Sequence, residues 1–200
     1  RGDPPKGEEA FASVEGGLSH ANELVELIRS EFPAFGVAVA GYPETHPDAS
    51  NRTVDLDNLK RKVDAGADVV ITQLFYDNDD FYRFRDRCAA IGIKVPIVPG
   101  ILPITNLAQI KRLTSNCGTT LPVELLNRLE AHADNAQGQF DVGVYHATRQ
   151  VEDLVKRGVP GVHFYVLNKS RAAATILRAL TLPSVPIHRA RVDSTSQSMP

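Results

Sequence analysis

The sequence predicts an α/β fold, namely a (βα)8 TIM barrel of which this chain holds about the last four to five βα units. Short apolar runs alternate with stretches of helical period, which is the pattern of parallel strands joined by helices. The strands are apolar on both faces, so helices are expected to cover the sheet. Polar residues gather where the runs end, as at the catalytic rim of a barrel, and no glycine-rich dinucleotide fingerprint follows a strand. An open doubly wound sheet is the competing architecture.

Each element follows from local composition. The segment FGVAVAGYP is a short apolar run that ends in Gly and Pro, which is typical of a strand that meets a loop. The next helix carries Leu56, Leu59 and Val63 on one face and ends at Gly66. The strands are expected at 35–43, 68–76, 95–103 and 161–168, after the end of another strand at 1–3. The helices are expected at 18–32, 54–65, 78–91, 105–115, 122–133, 139–157 and 170–180, with Thr105 as the cap of the fourth and a break at 135–138 before the sixth.

One domain and a tail are expected. Residues 1–181 are assigned to the partial barrel, and residues 182–200, rich in Pro, Ser and charge, are expected to form a disordered tail. The chain opens with RGDPPKGEEA and has no initiator Met. We therefore expect it to begin inside a longer gene product and to form the second half, or slightly more, of the barrel.

The composition disfavours several classes of partner. A net charge of −2 at pH 7 gives no electrostatic reason to expect binding to nucleic acid or to an anionic membrane. No apolar run approaches the length that spans a bilayer. Cys88 and Cys117 lie far apart without the spacing of metal ligands, so reduced thiols and no metal site are expected. The cytoplasm is the expected location.

Gln73 interrupts the apolar run DVVITQLFY near its end. If that strand ends at the mouth of a barrel, Gln73 faces a ligand rather than the core. A neutral amide both donates and accepts hydrogen bonds, which suits a heterocycle with mixed edges. The alternative is a glutamine that only satisfies a loop carbonyl.

The segment from 41 to 62 is richer in polar groups. His46 follows a strand end in a loop flanked by prolines, and the next helix carries Asp55, Asn58, Arg61 and Lys62 on one arc. A helix that begins at the top of a barrel points its N-terminus at the site, so a phosphate-bearing ligand is plausible. The alternative is a solvated, salt-bridged helix face.

The last strand carries His163 and Tyr165, which alternate with Phe164 and therefore point the same way. A polar lining of the site explains this pair, and so does a hydrogen-bonded His–Tyr pair in the interior. The sequence alone leaves both explanations open.

Five stretches, taken in order, resemble the methylenetetrahydrofolate reductase family. They are RGD, GYPETHPDA, NLKRKVDAGADVVITQLFYD, VPIVPGILPI and GVHFYVLN, and the resemblance covers residues 1 to about 180. Each stretch alone is weakly specific, whereas five in the family's order are specific. The family fold is a (βα)8 barrel with FAD at its C-terminal face, which agrees with the architecture expected from the apolar pattern.

The resemblance implies FAD as the bound cofactor, NADH or NADPH as the co-substrate, and a folate as the substrate. Asp3 is the catalytic residue in this set, since it would modulate the isoalloxazine ring and contact folate. Gln73 matches the amide that binds the pterin, and the α-helical set from Asp55 to Lys62 matches the helix that holds the ribityl-diphosphate. The cofactor is implied to contact Arg1, Gly2, Asp3, Tyr42, His46, Asp55, Asn58, Arg61, Lys62 and Tyr165. The folate is implied to contact Asp3, Gln73, Gln109 and Lys169.

The chain departs from the family pattern in two respects. Lys169 stands where the family usually has an arginine that contacts substrate, so the charge is kept and the planar fork is lost. The family's general acid, a glutamate on the first barrel strand, is expected upstream of Arg1, together with further FAD contacts.

The resemblance therefore implies flavin-dependent reduction of 5,10-methylenetetrahydrofolate to 5-methyltetrahydrofolate by a reduced nicotinamide dinucleotide, in one-carbon and methionine metabolism. A homo-oligomer is expected for the full-length protein. One alternative is a different barrel enzyme that acts on a phosphorylated metabolite. Another is a partial barrel without catalytic activity of its own.

Overall fold

A computed structural model describes residues 15–181 of the chain. The strands are β1 Ala38–Gly41, β2 Val69–Thr72, β3 Ile97–Val98, β4 Gly100–Ile101 and β5 His163–Phe164. They form a three-stranded sheet of order β1-β2-β3 and a two-stranded sheet of order β4-β5, and every pairing is parallel. The expected α/β class with parallel strands is confirmed.

Helices connect these strands, as the alternating pattern predicts. Within the described part of the chain they are α1 Ala21–Glu31, α2 Arg52–Asp64, α3 Asn78–Ala90, α4 Leu107–Cys117, α5 Val123–Glu130, α6 Ala136–Lys156 and α7 Arg171–Ala179. Each one overlaps a helix expected from sequence.

Asparagine side chains explain two of the helix starts that differ from the expectation. The cap of α4 is Asn106 rather than Thr105, since Asn106 Oδ1 accepts a hydrogen bond from the N–H of Gln109 at 2.8 Å. Asn135 Oδ1 accepts from the N–H of Gly138 at 2.9 Å, so α6 begins at residue 136 instead of 139. The expected break at 135–138 is therefore shorter than predicted.

The strand expected at 95–103 is two short strands that pair with different neighbours. Ile97 and Val98 pair with β2, whereas Gly100 and Ile101 pair with β5. Pro99 lies between them and has no N–H to donate. The N–H of Gly100 donates to the Thr72 hydroxyl oxygen at 2.9 Å, and a Cβ at Gly100 would lie 2.1 Å from the Thr72 carbonyl oxygen. The segment therefore changes partners at Pro99, where only glycine can follow.

The other strands are shorter than expected. The run 68–76 forms a strand only at Val69–Thr72, and the N–H of Gln73 adds one bond to the Gly41 carbonyl oxygen at 2.7 Å. The run 161–168 is a strand only at His163–Phe164. Residues 73–76 and 165–168 are loops at the strand ends, and Tyr165, Val166 and Leu167 line one of the clefts described below.

The core lies between the sheet and the helices. Phe81 and Phe84 of α3 are buried against Val70 of β2. A Cβ at Gly41 would lie 2.8 Å from the ring of Phe84 and 2.8 Å from Val70, so glycine allows this close packing. A second cluster packs α4, α5 and α6 together and contains Leu74, Tyr76, Leu102, Ile104, Ile110, Leu125, Leu129 and Val142.

The opposite face of β1 is not covered by the described residues. Ala38 and Ala40 are exposed while their neighbours Val39 and Gly41 are buried. β1 pairs only with β2 among the described strands. One face and one edge of this strand are thus open in the described part of the chain.

Several expectations fall on residues that the structure does not describe. Arg1, Gly2, Asp3 and the expected tail at 182–200 lie outside residues 15–181. Among the described residues, Cys88 is buried and Cys117 is half-buried, and no disulfide joins them. None of the described helices combines the length and the apolar character that crossing a membrane requires.

Candidate functional site

The loop after β1 carries two aromatic rings that lie against each other. The ring centroids of Tyr42 and His46 are 4.5 Å apart. His46 is held at both ends, because its N–H donates to Asp55 Oδ2 at 2.9 Å and its Nδ1 accepts from the N–H of Asp48 at 3.0 Å. Nδ1 therefore serves as an acceptor here, and the α2 carboxylate fixes the loop that carries the rings.

Helix α2 places the expected polar arc beside that loop. Arg61 Nη1 donates to Asn58 Oδ1 at 3.3 Å, and Lys62 Nζ donates to the Ala40 carbonyl oxygen at 2.5 Å. Neither cation forms an ion pair with a described carboxylate within 4 Å, unlike Lys60, which pairs with Asp64. Burial lowers the pKa of Lys62, and the nearby Asp55 acts in the opposite direction. The salt-bridged helix face is therefore not what the described residues form at Arg61 and Lys62.

These residues line one cleft of about 490 Å³, which we call the α1–α2 cleft. It brings together all six residues expected on the cofactor side between 42 and 62. The N-terminus of α1 forms the opposite wall, which the sequence did not predict. Its lining residues are His20, Ala21, Asn22, Glu23, Tyr42, His46, Asp48, Ala49, Val54, Asp55, Asn58, Arg61 and Lys62.

A second cleft lies where β4 and β5 end, and we call it the α4–α7 cleft. Gln109, Tyr165 and Lys169 line its narrow inner part of about 40 Å³. Gln109 and Lys169 also line an adjoining outer recess of about 460 Å³. Apolar side chains form the inner walls, which are Leu102, Ile104, Ile110, Leu113, Val166 and Leu167. Two of the residues expected to contact folate thus lie together here.

Tyr165 belongs to this second cleft and does not line the α1–α2 cleft. Its hydroxyl donates to the carbonyl oxygen of the fully buried Thr72 at 2.9 Å. Its ring lies 4.7 Å from that of His163 in an edge-to-face arrangement, so the two side chains share a face as expected. Burial raises the pKa of Tyr165, and the nearby Tyr42 adds to this effect. Tyr165 therefore connects the end of β5 to the end of β2.

Gln73 follows the last residue of β2 and is half-buried. Its Oε1 accepts the N–H of Leu74 at 2.9 Å. The amide thus satisfies a backbone group, as the alternative explanation expected. That group is the N–H of the next residue, however, and not a loop carbonyl. Among the described residues Nε2 makes no hydrogen bond within 3.5 Å, and Gln73 lines neither the α1–α2 cleft nor the α4–α7 cleft.

The turn after β5 has an uncommon backbone. Leu167 and Asn168 have φ values of +44° and +62°, and the N–H of Lys169 donates to the Val166 carbonyl oxygen at 2.7 Å. Two consecutive positive φ values within a four-residue hydrogen-bonded turn define type I′, which asparagine tolerates and leucine does not favour. This turn places Lys169 at the rim of the α4–α7 cleft.

One polar residue at these strand ends was not among the site residues expected from the sequence. Glu44, between Tyr42 and His46, accepts the N–H of Thr120 on Oε1 at 2.9 Å and on Oε2 at 3.1 Å. Thr120 lies in the connection between α4 and α5, far away in sequence. Residues 15–181 contain no cluster of three or more His, Cys, Asp or Glu side chains able to hold a metal ion.

Comparisons with known proteins agree with the motif resemblance. A model of the family described as "Methylenetetrahydrofolate reductase" matches residues 1–181. The chain is 44% identical over 192 residues to "Methylenetetrahydrofolate reductase (NADH) 1" of Arabidopsis thaliana, with 91% of this chain and 32% of that protein aligned. It is 41% identical over 161 residues to "5,10-methylenetetrahydrofolate reductase" of Escherichia coli (strain K12), with 80% of this chain and 54% of that protein aligned.

A solved structure is similar in fold. It is described as an uncharacterized protein from Clostridium thermocellum that binds two copies of 5-methyl-5,6,7,8-tetrahydrofolic acid. The TM-score is 0.54 at 19% sequence identity, over 88% of this chain and 64% of that one, so the likeness concerns the fold alone. The family model and the two relatives, by contrast, match in sequence over most of this chain. On that match, the chain belongs to the methylenetetrahydrofolate reductase family.

Proposed function

We propose that this chain forms part of the active site of a flavin-dependent reductase that converts 5,10-methylenetetrahydrofolate to 5-methyltetrahydrofolate with NADH or NADPH. The observation that carries the proposal is the α1–α2 cleft, where the loop after β1 and helix α2 contribute the six expected cofactor-side residues to one cavity. Both relatives described above are named as methylenetetrahydrofolate reductases, and the Arabidopsis protein is named for NADH. This chain spans 32% and 54% of those two proteins, so the activity is assigned to the longer protein.

The α1–α2 cleft has the groups that one part of FAD requires. Tyr42 and His46 offer aromatic surface, and Arg61 and Lys62 offer cationic donors that no described carboxylate neutralises within ion-pair distance. A volume of about 490 Å³ suits one portion of the dinucleotide, with the remainder held elsewhere. Bound FAD would supply the hydride transfer between the reduced nicotinamide and the folate.

The residues of this chain bind and orient. Arg61 and Lys62 hold the diphosphate, and Asn58 aligns the Arg61 guanidinium. Asp55 fixes His46 by accepting a hydrogen bond from its backbone N–H, so the aromatic surface keeps one orientation. Both roles supply positioning rather than bond-breaking.

The folate side is assigned to Gln73 and to the α4–α7 cleft. Gln73 donates Nε2 to the pterin while Leu74 holds its Oε1. Gln109 and Lys169 bind the substrate from the far side, and Lys169 interacts as a point charge where the family arginine makes a fork. Tyr165 borders both the flavin and the folate through its bond to the end of β2.

Further parts of the proposal lie outside the described residues. Arg1, Gly2 and Asp3 contact the flavin, and Asp3 also modulates its electronics and contacts folate. A glutamate upstream of Arg1 protonates the folate ring as it opens. We assign residues 1–181 to the second half of a (βα)8 barrel and 182–200 to a tail, and we place the full-length homo-oligomeric enzyme in the cytoplasm.

One observation favours a second candidate, a partial barrel that has no activity alone. β1 leaves one edge unpaired and exposes Ala38 and Ala40 within the described part. Flavin content separates the two candidates. We expect the full-length protein to purify with FAD and the 200-residue chain to purify without it, as read from the absorbance at visible wavelengths.

Activity then tests the chemistry. The full-length protein should reduce its flavin with NADH or NADPH and reoxidise it with 5,10-methylenetetrahydrofolate, followed by rapid mixing. A full-length protein that binds no flavin, or whose reduced flavin ignores the folate, contradicts the proposed function. A flavin bound in stoichiometric amount by the 200-residue chain contradicts the assignment of half of the site to residues outside this chain.

A further inference from the structure

A carboxylate in the loop after β1 is hydrogen-bonded to the connection between α4 and α5. Both oxygens of Glu44 accept the N–H of Thr120, at 2.9 and 3.1 Å. The adjacent Thr119 hydroxyl donates to the Leu74 carbonyl oxygen at 3.1 Å, in the loop that follows β2. Two neighbouring residues of one connection therefore contact both loops at the strand ends.

Packing reinforces these bonds. Gly118 has a φ of +64° and ends α4, and a Cβ there would lie 3.2 Å from the Pro47 ring and 3.3 Å from the Thr45 carbonyl oxygen. Residues 118–120, which we call the crosspiece, thus lie directly on the loop that carries Tyr42 and His46. The glycine permits the close approach, and the positive φ turns the chain toward the loop.

The hydrogen bond from the Thr120 N–H to Glu44 is directional, and no described cationic side chain forms an ion pair with this carboxylate. Glu44 is half-buried and forms no ion pair within 4 Å among the described residues. Burial raises its pKa, whereas the hydrogen bonds from Thr120 act in the opposite direction. The backbone N–H of Thr120 has a fixed direction, whereas a flexible cationic side chain such as an exposed lysine could follow the carboxylate as it moved. A carboxylate held in this way determines where its own loop lies.

We propose that Glu44 is a positioning residue, which fixes the loop of Tyr42 and His46 against the crosspiece and hence against the loop of Gln73. The cofactor-side and folate-side loops are then held in one mutual arrangement. This inference depends on the proposed function, because it takes Tyr42 and His46 as flavin contacts and Gln73 as a folate contact. Glu44 itself touches neither ligand.

The test compares two variants of similar size in the full-length protein. Glu44→Met keeps the length of the side chain and removes both acceptors, whereas Glu44→Gln keeps one acceptor for the N–H of Thr120. We expect Glu44→Met to raise the dissociation constant for FAD about tenfold, and Glu44→Gln less than about threefold. At saturating FAD, Glu44→Met should also raise KM for the folate, with a smaller change in the rate of flavin reduction by the nicotinamide.

The control is Glu130→Ala, which removes the bond between Glu130 and Lys111, 2.7 Å long, on the exposed side of α4 and α5. It changes the charge of the same region and contacts neither loop, so FAD affinity and folate KM should remain those of the wild type. If Glu44→Met matches this control, or if Met and Gln weaken FAD equally, Glu44 has no positioning role.

Thr119→Val supplies a second measurement if Glu44→Met does not fold. It removes the bond to Leu74 and keeps the β-branched shape, so it should raise folate KM about three- to tenfold at unchanged FAD affinity. An unchanged KM contradicts the inference. A wild-type protein that neither binds FAD nor turns over folate contradicts the proposed function instead, and the two failures are thereby distinguished.

Discussion

Replacing Lys62 by methionine tests whether α2 holds a phosphate. The methionine keeps most of the apolar stem and removes the ammonium group. In the structure this group donates to the Ala40 carbonyl oxygen at 2.5 Å and lies beside Asp55. The lost hydrogen bond lowers stability, while removal of a charge whose burial is unfavourable raises it. We expect the free energy of unfolding to change by less than about 1 kcal/mol, because these effects oppose each other.

The effect on ligand affinity should be larger. A hydrogen bond to a charged group contributes about 1.5–3 kcal/mol, so loss of one contact to the diphosphate should weaken FAD about 10- to 150-fold. Riboflavin lacks the diphosphate, and its affinity should therefore be the same for wild type and for Lys62→Met. The assay is fluorescence titration of the flavin-free full-length protein with FAD and, separately, with riboflavin.

The pH dependence gives a second readout. Because the pKa of Lys62 is lowered from 10.5, the unfolded chain binds more protons than the folded chain between the lowered pKa and 10.5. The Lys62 contribution to stability therefore rises with pH in that window, whereas FAD affinity falls as pH rises through the lowered pKa. In Lys62→Met both dependences should disappear.

Lys60→Met is the matched control on the same helix. Lys60 pairs with Asp64 and lies outside the α1–α2 cleft, so its loss should leave both flavin affinities unchanged. Equal weakening of FAD and riboflavin by Lys62→Met would mean that Lys62 supports the fold of the cleft rather than the diphosphate. Unchanged FAD affinity would mean that Lys62 serves only the Ala40 carbonyl.

Three further changes are predicted. Gln73→Ala should slow reoxidation of the flavin by the folate about ten- to a hundredfold, and should slow flavin reduction by the nicotinamide much less. Rapid mixing measures both rates, and equal slowing of the two would mean that Gln73 supports the strand and does not bind the folate. Leu167→Gly should raise the free energy of unfolding by about 0.5–1 kcal/mol in denaturant titration, because relief of about 1–2 kcal/mol at a positive φ exceeds the entropy cost of glycine and the side chain is 54% exposed. Gly143→Ala should cost more than about 2 kcal/mol, since its Cβ would lie 1.8 Å from the Ile104 carbonyl oxygen, whereas Gly161→Ala, with no atom within 4 Å, should stay within about 0.5 kcal/mol.

The sequence predicted the features that depend on the periodicity of a single helix or strand. The arc of Asp55, Asn58, Arg61 and Lys62 follows from the period of a helix, and the structure places all four in one cleft. The shared direction of His163 and Tyr165 follows from the period of a strand.

Long-range packing decided the features that the sequence did not predict. The change of partners at Pro99 depends on where β2 and β5 lie, and the prolines of the segment 95–103 only hinted at an interruption. The bond between Glu44 and Thr120 joins residues 76 positions apart and has no local signature. Tyr165 was expected on the cofactor side, yet its placement in the α4–α7 cleft depends on the Thr72 carbonyl in another strand.

The change of partners at Pro99 also places the ends of the strands at two different levels along the strand direction. In the register of the sheet, Thr72 stands opposite Gly41 and level with Pro99, whereas the N–H of Tyr165 bonds to Ile101. The end of β5 therefore rises above the ends of β1 and β2 by about two to three residues, or roughly 7–10 Å at the rise of a strand. The α1–α2 cleft lies at the lower level, after the end of β1, and the α4–α7 cleft lies at the upper level, after the ends of β4 and β5. A ligand that contacts both clefts would therefore have to extend along the strand direction as well as across the strands.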